Sequence, residues 1–355
     1  TTNDNLKELT KQIKQLKPKN LIINNRSHYL KIKKKYKKIN TFNNFDTFLR
    51  KNKKKIDYTI SAISGLSGLQ PTLDIIKHTK TIAIANKETI ICAWNLIEKK
   101  LKANNTKFIP VDSEHFSIWY LLQNKEIQTV EEIIITASGG PFLNWDLKKI
   151  KKASPNIAIK HPNWSMGKKI SIDSATMMNK VFEIIEAQRI FNLDQTKFKI
   201  LIHPQSLVHA IVKFDNGLTK ILVHDTDMKI PIFNSIYENT NKRIKNKKIG
   251  YSNLNNLAFR LIDLKKFPSI EILKKIPKKI SLFETILVSI NDELVDLFLK
   301  KKLKFWEIHI NLNKLLKKKE FLKYKRIMPK NTRQIYKLSE FVRLKTRALS
   351  IRSSK

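Results

Sequence analysis

The sequence has one cysteine, Cys92, in 355 residues, so no disulfide can form within the chain. The folded state must rest on packed cores, for which 41% hydrophobic residues are sufficient, and a single cysteine suits a reducing compartment. No apolar run approaches the roughly 18 residues that cross a bilayer, and no secretory signal is visible. We therefore expect a globular protein of two or three domains with no membrane partner.

Glycine is also scarce, with seven residues, and no G-x-G-x-x-G dinucleotide fingerprint occurs anywhere in the sequence. Two glycine pairs follow apolar runs: Gly65/Gly68, and Gly139/Gly140 directly after Ser138. Either pair could let backbone N–H groups approach a phosphate, or could simply form a tight turn after a strand. The sequence leaves both interpretations open.

Acidic residues are few, with 30 Asp and Glu against 70 Lys and Arg, which gives a formal charge of +40. A charge of this size usually points to nucleic acid or an anionic surface. Here, however, lysine is spread through the whole chain beside abundant Ile and Asn, and no zinc finger, RNP-like motif or helix-turn-helix is present. We therefore expect no nucleic-acid partner, while the basic field favours a small phosphorylated substrate.

Short apolar runs alternate with helical patterns through the first third of the chain. The predicted strands are residues 21–24, 58–63, 81–84 and 107–111, and amphipathic helices lie between them. This alternation predicts an α/β fold with a parallel, doubly wound sheet. From about residue 268 onward the sequence becomes helical, which predicts a separate helical C-terminal domain.

The most informative strand is followed at once by Asp112, Ser113, Glu114 and His115. Because open α/β sheets place their ligands at the carboxyl ends of strands, two carboxylates here suggest a divalent cation or a shared proton. The simpler alternative is that Asp112 only caps a helix that Glu114 stabilises through the helix dipole. Similarly, Asn86, Lys87 and Glu88 follow a strand and could be a cap with solvated charges.

A helix predicted over residues 171–192 carries Asn179, Lys180 and Glu183 on one face. A Lys-x-x-Glu pair is usually a solvated salt bridge, but the neighbours here are nearly all apolar, so we expect this face to point into a site. The segment 161–167, with His161, Trp164 and Gly167, could be a lid or a buried Trp anchor. His209 alternates with apolar residues, which by itself is more typical of a core histidine than of a ligand.

Five of these motifs together resemble a known family. In order they are Val111-Asp112-Ser113-Glu114-His115, Ser138-Gly139-Gly140-Pro141-Phe142, residues 161–167, Ser174-Ala175-Thr176-Met177-Met178-Asn179-Lys180, and Ile202-His203-Pro204-Gln205-Ser206. The chain is similar to 1-deoxy-D-xylulose 5-phosphate reductoisomerases, NADPH-dependent enzymes of the non-mevalonate isoprenoid pathway. The resemblance covers nearly the whole chain and is strongest over residues 61–231.

The resemblance implies a domain order. Residues 1–111 would form a Rossmann-like NADPH-binding domain that is incomplete at its N-terminus, and residues 112–237 an α+β catalytic domain. Residues 238–264 would be a linker, and residues 265–355 the helical C-terminal domain. The family's G-x-T-G-x-x-G loop is absent, and residues 1–5 align best after its second strand, so about one βαβ unit is missing. We expect that the sequence is truncated at its N-terminus and that the unit was not genuinely lost.

The resemblance also implies roles for individual residues. The metal ligands would be Asp112, Glu114 and Glu183, holding Mg²⁺ or Mn²⁺, with Co²⁺ as a further candidate. Substrate contacts would come from Lys87, Ser113, Glu114, Ser138, His161, Ser174, Asn179, Lys180 and Glu183. Catalysis would involve Lys180, Glu114, His161, His209 and the lid residue Trp164. The cofactor would lie near Asn5, Asn86, Glu88, Gly167 and Met228.

The implied activity is conversion of 1-deoxy-D-xylulose 5-phosphate to 2-C-methyl-D-erythritol 4-phosphate by a homodimer. We expect a bacterial cytoplasmic location, with a plastid location left open. Two departures from the family pattern are Val181-Phe182 in place of Gly-Leu, and Ser289-Ile290-Asn291-Asp292-Glu293 in place of Asn-Ala-Ala-Asn-Glu. The alternative, belonging to another class, is a degenerate homologue that binds metal and sugar phosphate without reducing.

Overall fold

The computed structural model describes residues 5–238, 240–246 and 248–352. The strands are β1 Asn20–Ile22, β2 Asn40–Phe42, β3 Ile56–Ser61, β4 Thr79–Ile84, β5 Lys107–Pro110, β6 Val130–Ala137, β7 Phe198–Ile202, β8 Val208–Phe214 and β9 Thr219–Val223. The helices are α1 Leu6–Leu16, α2 Arg26–Lys35, α3 Phe45–Lys51, α4 Leu69–Ile75, α5 Lys87–Asn104, α6 Ser113–Leu121, α7 Leu147–Lys151, α8 Pro155–Ala158, α9 Lys168–Ala175, α10 Met178–Phe191, α11 Lys229–Ile236, α12 Tyr251–Asn255, α13 Leu282–Leu299, α14 Phe305–Leu316, α15 Lys319–Leu322 and α16 Thr332–Arg352.

The N-terminal part contains two parallel sheets separated by helices. β1 pairs with β2, and β3, β4 and β5 form a second sheet in that order. The predicted parallel α/β arrangement is therefore confirmed. β2 was not predicted, because three residues are too few to show the alternation of a strand.

Asparagine starts several of these helices. The side chains of Asn5, Asn25, Asn44 and Asn86 each accept a hydrogen bond from a backbone N–H in the first turn of α1, α2, α3 and α5. A short side-chain acceptor at this position satisfies a donor that the helix itself leaves unpaired. The high Asn content therefore has a direct structural use in fixing where helices begin.

The middle of the chain forms a mixed sheet of order β7-β6-β8-β9. β6 runs parallel to β7 and antiparallel to β8, and β8 runs antiparallel to β9. Helix α6 packs on β8, and a hydrophobic core forms between the sheet and helices α6 and α10. This is the α+β region predicted for the centre of the chain.

One helix prediction was wrong. Residues 171–192 form two helices, α9 and α10, because Met177 adopts a left-handed conformation with φ of 63°. Such a conformation is costly for a residue with a Cβ and ends α9. The break gives Ser174 and the polar residues of α10 separate orientations.

The helices after residue 268 are present as predicted, with α13 at their centre against α14 and α16. They share a core with the preceding region, since Phe283 and Ile286 belong to the same buried cluster as Ile90 and Phe182. The exact domain boundaries stay a prediction. No helix in the described part of the chain is long and apolar enough to cross a membrane.

Candidate functional site

A cavity of about 250 Å³ opens where β4, β5 and β6 end, at the carboxyl edges of the two sheets. Most of the predicted site residues line it, namely Lys87, Asp112, Ser113, Glu114, Ser138, His161, Trp164, Ser174, Asn179, Lys180, Glu183, His209 and Met228. These residues span 142 positions of sequence from Lys87 to Met228. The fold therefore places in one cavity the residues that the sequence suggested only in separate motifs.

Three carboxylates converge on one side of this cavity. Asp112 is the N-cap of α6 and accepts from the backbone N–H of Glu114 at 3.3 Å, while Glu183 projects from α10. One oxygen from each of Asp112, Glu114 and Glu183 lies within 4.8 Å of the others. We call these three residues the carboxylate triad. The capping and metal interpretations of Asp112 are thus compatible, because each can use a different oxygen.

Two buried lysines compensate part of this charge. Lys180 Nζ hydrogen-bonds to Glu114 and lies 2.6 Å from Glu183 Oε2. Lys87 Nζ lies 3.1 Å from Asp112 Oδ2 and 2.7 Å from Asn179 Oδ1. The Lys180–Glu183 pair predicted on one helix face is therefore present, and it faces the cavity rather than solvent.

The surroundings shift the pKa values of Asp112 and Glu114 in opposite directions. Burial, followed by the charge of Glu183, raises the pKa of Glu114 to about 7, although Lys180 opposes the shift. Burial would also raise the pKa of Asp112, but Lys87 and His115 outweigh it and hold that pKa well below its ordinary value. Neighbouring acids whose pKa values are shifted apart in this way are typical of functional sites.

His115, whose role the sequence left open, is buried behind the triad. Its Nε2 lies 2.8 Å from the backbone carbonyl of Glu183, and its Nδ1 lies 3.5 Å from both Asp112 and Glu186. Burial disfavours its charged form, yet Glu186 and Asp112 raise its pKa to about 9. Glu186 was not predicted, although its three-residue spacing from Glu183 on α10 was a usable signal.

The donor set fits a divalent cation. The cluster contains four carboxyl groups and three cationic groups, these being Asp112, Glu114, Glu183 and Glu186 against Lys87, Lys180 and His115. Full ionisation therefore leaves one uncompensated negative charge in a buried place, which a cation offsets. Carboxylate oxygens are the ligands that Mg²⁺ and Mn²⁺ prefer.

Other residues of the cavity lining are suited to an anion. Ser138 follows β6, its Oγ accepts from the backbone N–H of Gly140 at 3.0 Å, and Gly139 and Gly140 both have positive φ. Ser174 at the end of α9 faces the same space. Gly139 and Gly140 therefore form a tight turn that favours glycine, and the Gly140 N–H is already bound to Ser138 Oγ. The hydroxyl groups of Ser138 and Ser174 are the groups suited to an anion, and we call these two residues the serine pair.

His161 holds Ser138 in a defined orientation. Its Nδ1 accepts from the backbone N–H groups of Asn163 at 3.2 Å and Trp164 at 2.9 Å, so Nε2 carries the proton and donates to Ser138 Oγ at 2.9 Å. Burial, together with the charge of Lys180, lowers the pKa of His161 to about 4. The Ser138 hydroxyl hydrogen is consequently free to donate to a ligand.

This depressed pKa predicts a pH dependence of stability. A histidine whose pKa is about 4 when folded and 6.5 when unfolded binds fewer protons in the folded state, so its contribution is present above pH 6.5. That contribution declines as the pH falls towards about 4. We expect the stability difference between wild type and His161→Gln in urea unfolding to be smaller at about pH 5 than at about pH 7. A difference independent of pH would contradict this account.

Four residues of the segment 161–167 line the cavity, namely His161, Trp164, Ser165 and Met166, and the segment is called the lid below. Asn163 Nδ2 donates to the carbonyl of Pro204 and to Ser206 Oγ, both at 2.7 Å. Trp164 contacts His209 edge to face, with ring centroids 6.0 Å apart. Ser206 and Met166, which no prediction assigned to the site, also line the cavity.

Only one of the five residues predicted near the cofactor lines the cavity. Met228 lines the cavity, whereas Asn5, Asn86, Glu88 and Gly167 do not. Glu88 instead pairs with Lys169 at 2.9 Å, and Asn5 caps α1. Residues 1–4, which align with Asn5 after the second strand of the family, lie outside the described residues.

Asn86 has a structural role that can be tested. Its Oδ1 caps α5 through Thr89 N at 2.8 Å, and its Nδ2 donates to the carbonyls of Gly65 and Ile63. We expect Asn86→Ala to lower the free energy of unfolding by about 1–3 kcal/mol, because α5 loses its cap and two partly buried carbonyls lose their donor. Asn44→Ala, at an exposed cap, should cost roughly 1 kcal/mol or less in the same denaturant titration. Equal losses would mean that only the cap matters.

Comparisons with known proteins agree with the motifs. The model of the family 1-deoxy-D-xylulose 5-phosphate reductoisomerase matches residues 1–94, and two models of its C-terminal domains match residues 108–191 and 224–345. A 1-deoxy-D-xylulose 5-phosphate reductoisomerase from Pelagibacter ubique (strain HTCC1062) is 56% identical over 99% of this chain and 92% of its own length. One from Sulfurihydrogenibium sp. (strain YO3AOP1) is 36% identical over 89% of this chain and 82% of its own.

Solved structures give the same result. The Zymomonas mobilis reductoisomerase in complex with NADPH matches with a TM-score of 0.86 at 30% identity, covering 98% of this chain and 89% of that one. A reductoisomerase in complex with NADPH, fosmidomycin and magnesium matches with a TM-score of 0.89 at 27% identity, covering 100% and 91%. With the carboxylate triad, the serine pair and the lid assembled around one cavity, this chain belongs to the 1-deoxy-D-xylulose 5-phosphate reductoisomerase family.

Proposed function

We propose that this protein converts 1-deoxy-D-xylulose 5-phosphate to 2-C-methyl-D-erythritol 4-phosphate, using NADPH and a divalent metal ion, in isoprenoid precursor biosynthesis. The observation that carries the proposal is the convergence of the carboxylate triad, two lysines and the serine pair on one cavity. Family membership over nearly the whole chain supports it. The degenerate-homologue alternative has no observation in its favour, since the triad and Lys180 are both in place.

Asp112, Glu114 and Glu183 would hold the metal ion. When bound, the ion supplies Lewis-acid polarisation of substrate oxygens. Relatives with the same overall fold have been solved in complex with magnesium. His115 and Glu186 would keep the triad aligned from behind, because His115 contacts the Asp112 carboxylate and the Glu183 backbone at once.

The cationic side chains would bind and steady the oxygens of the substrate. Lys180 and Lys87 stay charged, because the neighbouring carboxylates raise the pKa of each even though burial opposes the shift. Each lysine can donate to a substrate oxygen while keeping one carboxylate partner. Fixed donors of this kind stabilise negative charge as it develops on an oxygen.

The serine pair would hold the phosphate end of the substrate, together with His161, Asn179 and Ser113. All of these residues line the cavity. Asn179 also contacts Lys87 and Glu183. Closure of the lid over the substrate would bring Trp164 against it and exclude water from the reacting atoms. Trp164 already rests on His209, so the lid has a defined packing surface inside the cavity.

NADPH is proposed as the hydride donor, since relatives are found in complex with it. Met228 is the candidate contact that lies at the cavity. Asn5, Asn86, Glu88 and Gly167 remain proposals, and the ion pair of Glu88 with Lys169 argues for a supporting role there. A homodimer in a bacterial cytoplasm is likewise part of the proposal.

The experiment is an assay of NADPH oxidation by the purified full-length protein, with 1-deoxy-D-xylulose 5-phosphate and Mg²⁺ or Mn²⁺. We expect oxidation that requires both substrate and metal, with 2-C-methyl-D-erythritol 4-phosphate identified by mass spectrometry. Fosmidomycin, the ligand of a structural relative, should inhibit it. A folded, metal-loaded protein that shows no substrate-dependent oxidation would refute the proposed function.

A further inference from the structure

We propose that His224, which does not line the cavity, is a positioning residue that fixes the orientation and tautomer of the cavity residue His209. Through His209 it would fix the packing surface of the lid residue Trp164. The inference rests on the function proposed above. It starts from a contact between two histidines that the sequence gave no reason to pair.

The backbone at His209 explains why such support is needed. Val208 pairs with Val223, but the next pair is Ala210 with Leu222, so His209 is the extra residue of a β-bulge. A bulge redirects a side chain and leaves the local ladder incomplete. The ring of His209 therefore depends on side-chain contacts for its orientation.

His224, the residue just after β9, provides those contacts. The two imidazole rings stack with centroids 3.7 Å apart and planes 18° apart. His209 Nε2 also lies 3.2 Å from the backbone carbonyl of His224. Both rings are buried, so each limits the rotation of the other.

The hydrogen bonds also define the tautomers. A carbonyl oxygen can only accept, so His209 Nε2 carries the proton, which leaves Nδ1 as the acceptor of a neutral ring. In His224, Nδ1 lies 2.7 Å from the carbonyl of Asp225 and is the protonated nitrogen. Burial lowers the pKa of both histidines, which is consistent with two neutral rings in contact.

On its other side His209 meets the lid. The ring of Trp164 approaches it at 70°, in the edge-to-face arrangement that aromatic pairs favour. The rings thus contact one another in the order Trp164, His209, His224, and only the first two line the cavity. If His224 were absent, His209 could rotate and the lid would lose a defined surface to close upon.

The test uses His224→Ala, which removes the ring but keeps the backbone carbonyl, and His224→Phe, which restores a stacking ring. In ¹⁵N-labelled protein we expect NMR to show His209 neutral with the proton on Nε2 in wild type and His224→Phe, and mixed tautomers in His224→Ala. His309→Ala, in α14, is the remote histidine control. His209→Gln identifies the signals of His209.

Two further readouts test the lid. We expect His224→Ala to raise KM for the sugar phosphate by about tenfold with a smaller change in kcat, and His224→Phe to restore it. The change in Trp164 fluorescence on adding fosmidomycin with Mn²⁺, measured against a Trp164→Phe blank, should shrink in His224→Ala alone.

Several results would overturn the inference. One is the finding that His209 of the wild-type protein is charged, or protonated on Nδ1, at neutral pH. This measurement needs no variant. Another is an unchanged tautomer and fluorescence response in His224→Ala, and a third is His224→Phe behaving like His224→Ala. If His224→Ala fails to fold, the tautomer of His209 in wild type and in His224→Phe still tests the inference. Absence of turnover in wild type would refute the proposed function, whereas the NMR result would stand independently.

Discussion

Glu183→Gln is expected to lower turnover by roughly 100- to 1,000-fold and to abolish tight binding of Mn²⁺. Glutamine has the same size and keeps an oxygen that can accept from Asn179, so the fold should be preserved. What it loses is the negative charge that a hard cation needs in its ligand. Lewis-acid stabilisation is worth several kcal/mol, which corresponds to the stated loss.

The measurements for Glu183→Gln are steady-state NADPH oxidation and titration of Mn²⁺ followed by electron paramagnetic resonance of the free ion. Glu132→Gln is the matched control, because Glu132 pairs with Lys199 at 2.5 Å on the mixed sheet outside the cavity. It should leave both quantities unchanged. Wild-type affinity for Mn²⁺ in Glu183→Gln would remove Glu183 from the metal site.

Lys180→Met is expected to have a comparable effect on turnover with a different signature. Removing a buried donor that steadies negative charge should lower kcat by roughly 100- to 1,000-fold. Binding of Mn²⁺, however, should be no weaker than in wild type. Lys180 competes with a cation for Glu114 and Glu183, so its removal leaves the triad less compensated.

This contrast separates the lysine from the triad. A carboxylate variant should lose metal and turnover together, whereas the lysine variant should lose turnover and retain metal. Lys199→Met, the partner of the Glu132 control, should change neither. If Lys180→Met loses Mn²⁺ binding in parallel with turnover, Lys180 serves to assemble the metal site rather than to act on substrate.

Parts of the site were predictable because some of its members lie in pairs close together in sequence. Asp112 and Glu114 follow a strand, and Lys180 and Glu183 share one turn of a helix, so periodicity alone places each pair. The resemblance then joined the pairs into one site. Glu186 was missed, because a further acid on a helix is usually a solvated side chain.

Other features had no local signal. The left-handed Met177, which divides the predicted helix, depends on packing that no periodic pattern encodes. The contact of Lys87 with Asn179 joins residues 92 positions apart. The His209–His224 stack requires a bulge whose location is set by the pairing of two strands.

The sequence by itself determined the alternation of strands and helices, the five motifs and the residue types of a cation and phosphate site. These follow from spacing, which fixes which side chains share a strand end or a helix face. Only the tertiary structure decided which charges neutralise one another, which histidines stay neutral and which residue supports the lid. Those properties depend on burial and on distances between elements far apart in the chain, and both arise only when the sheets and helices pack.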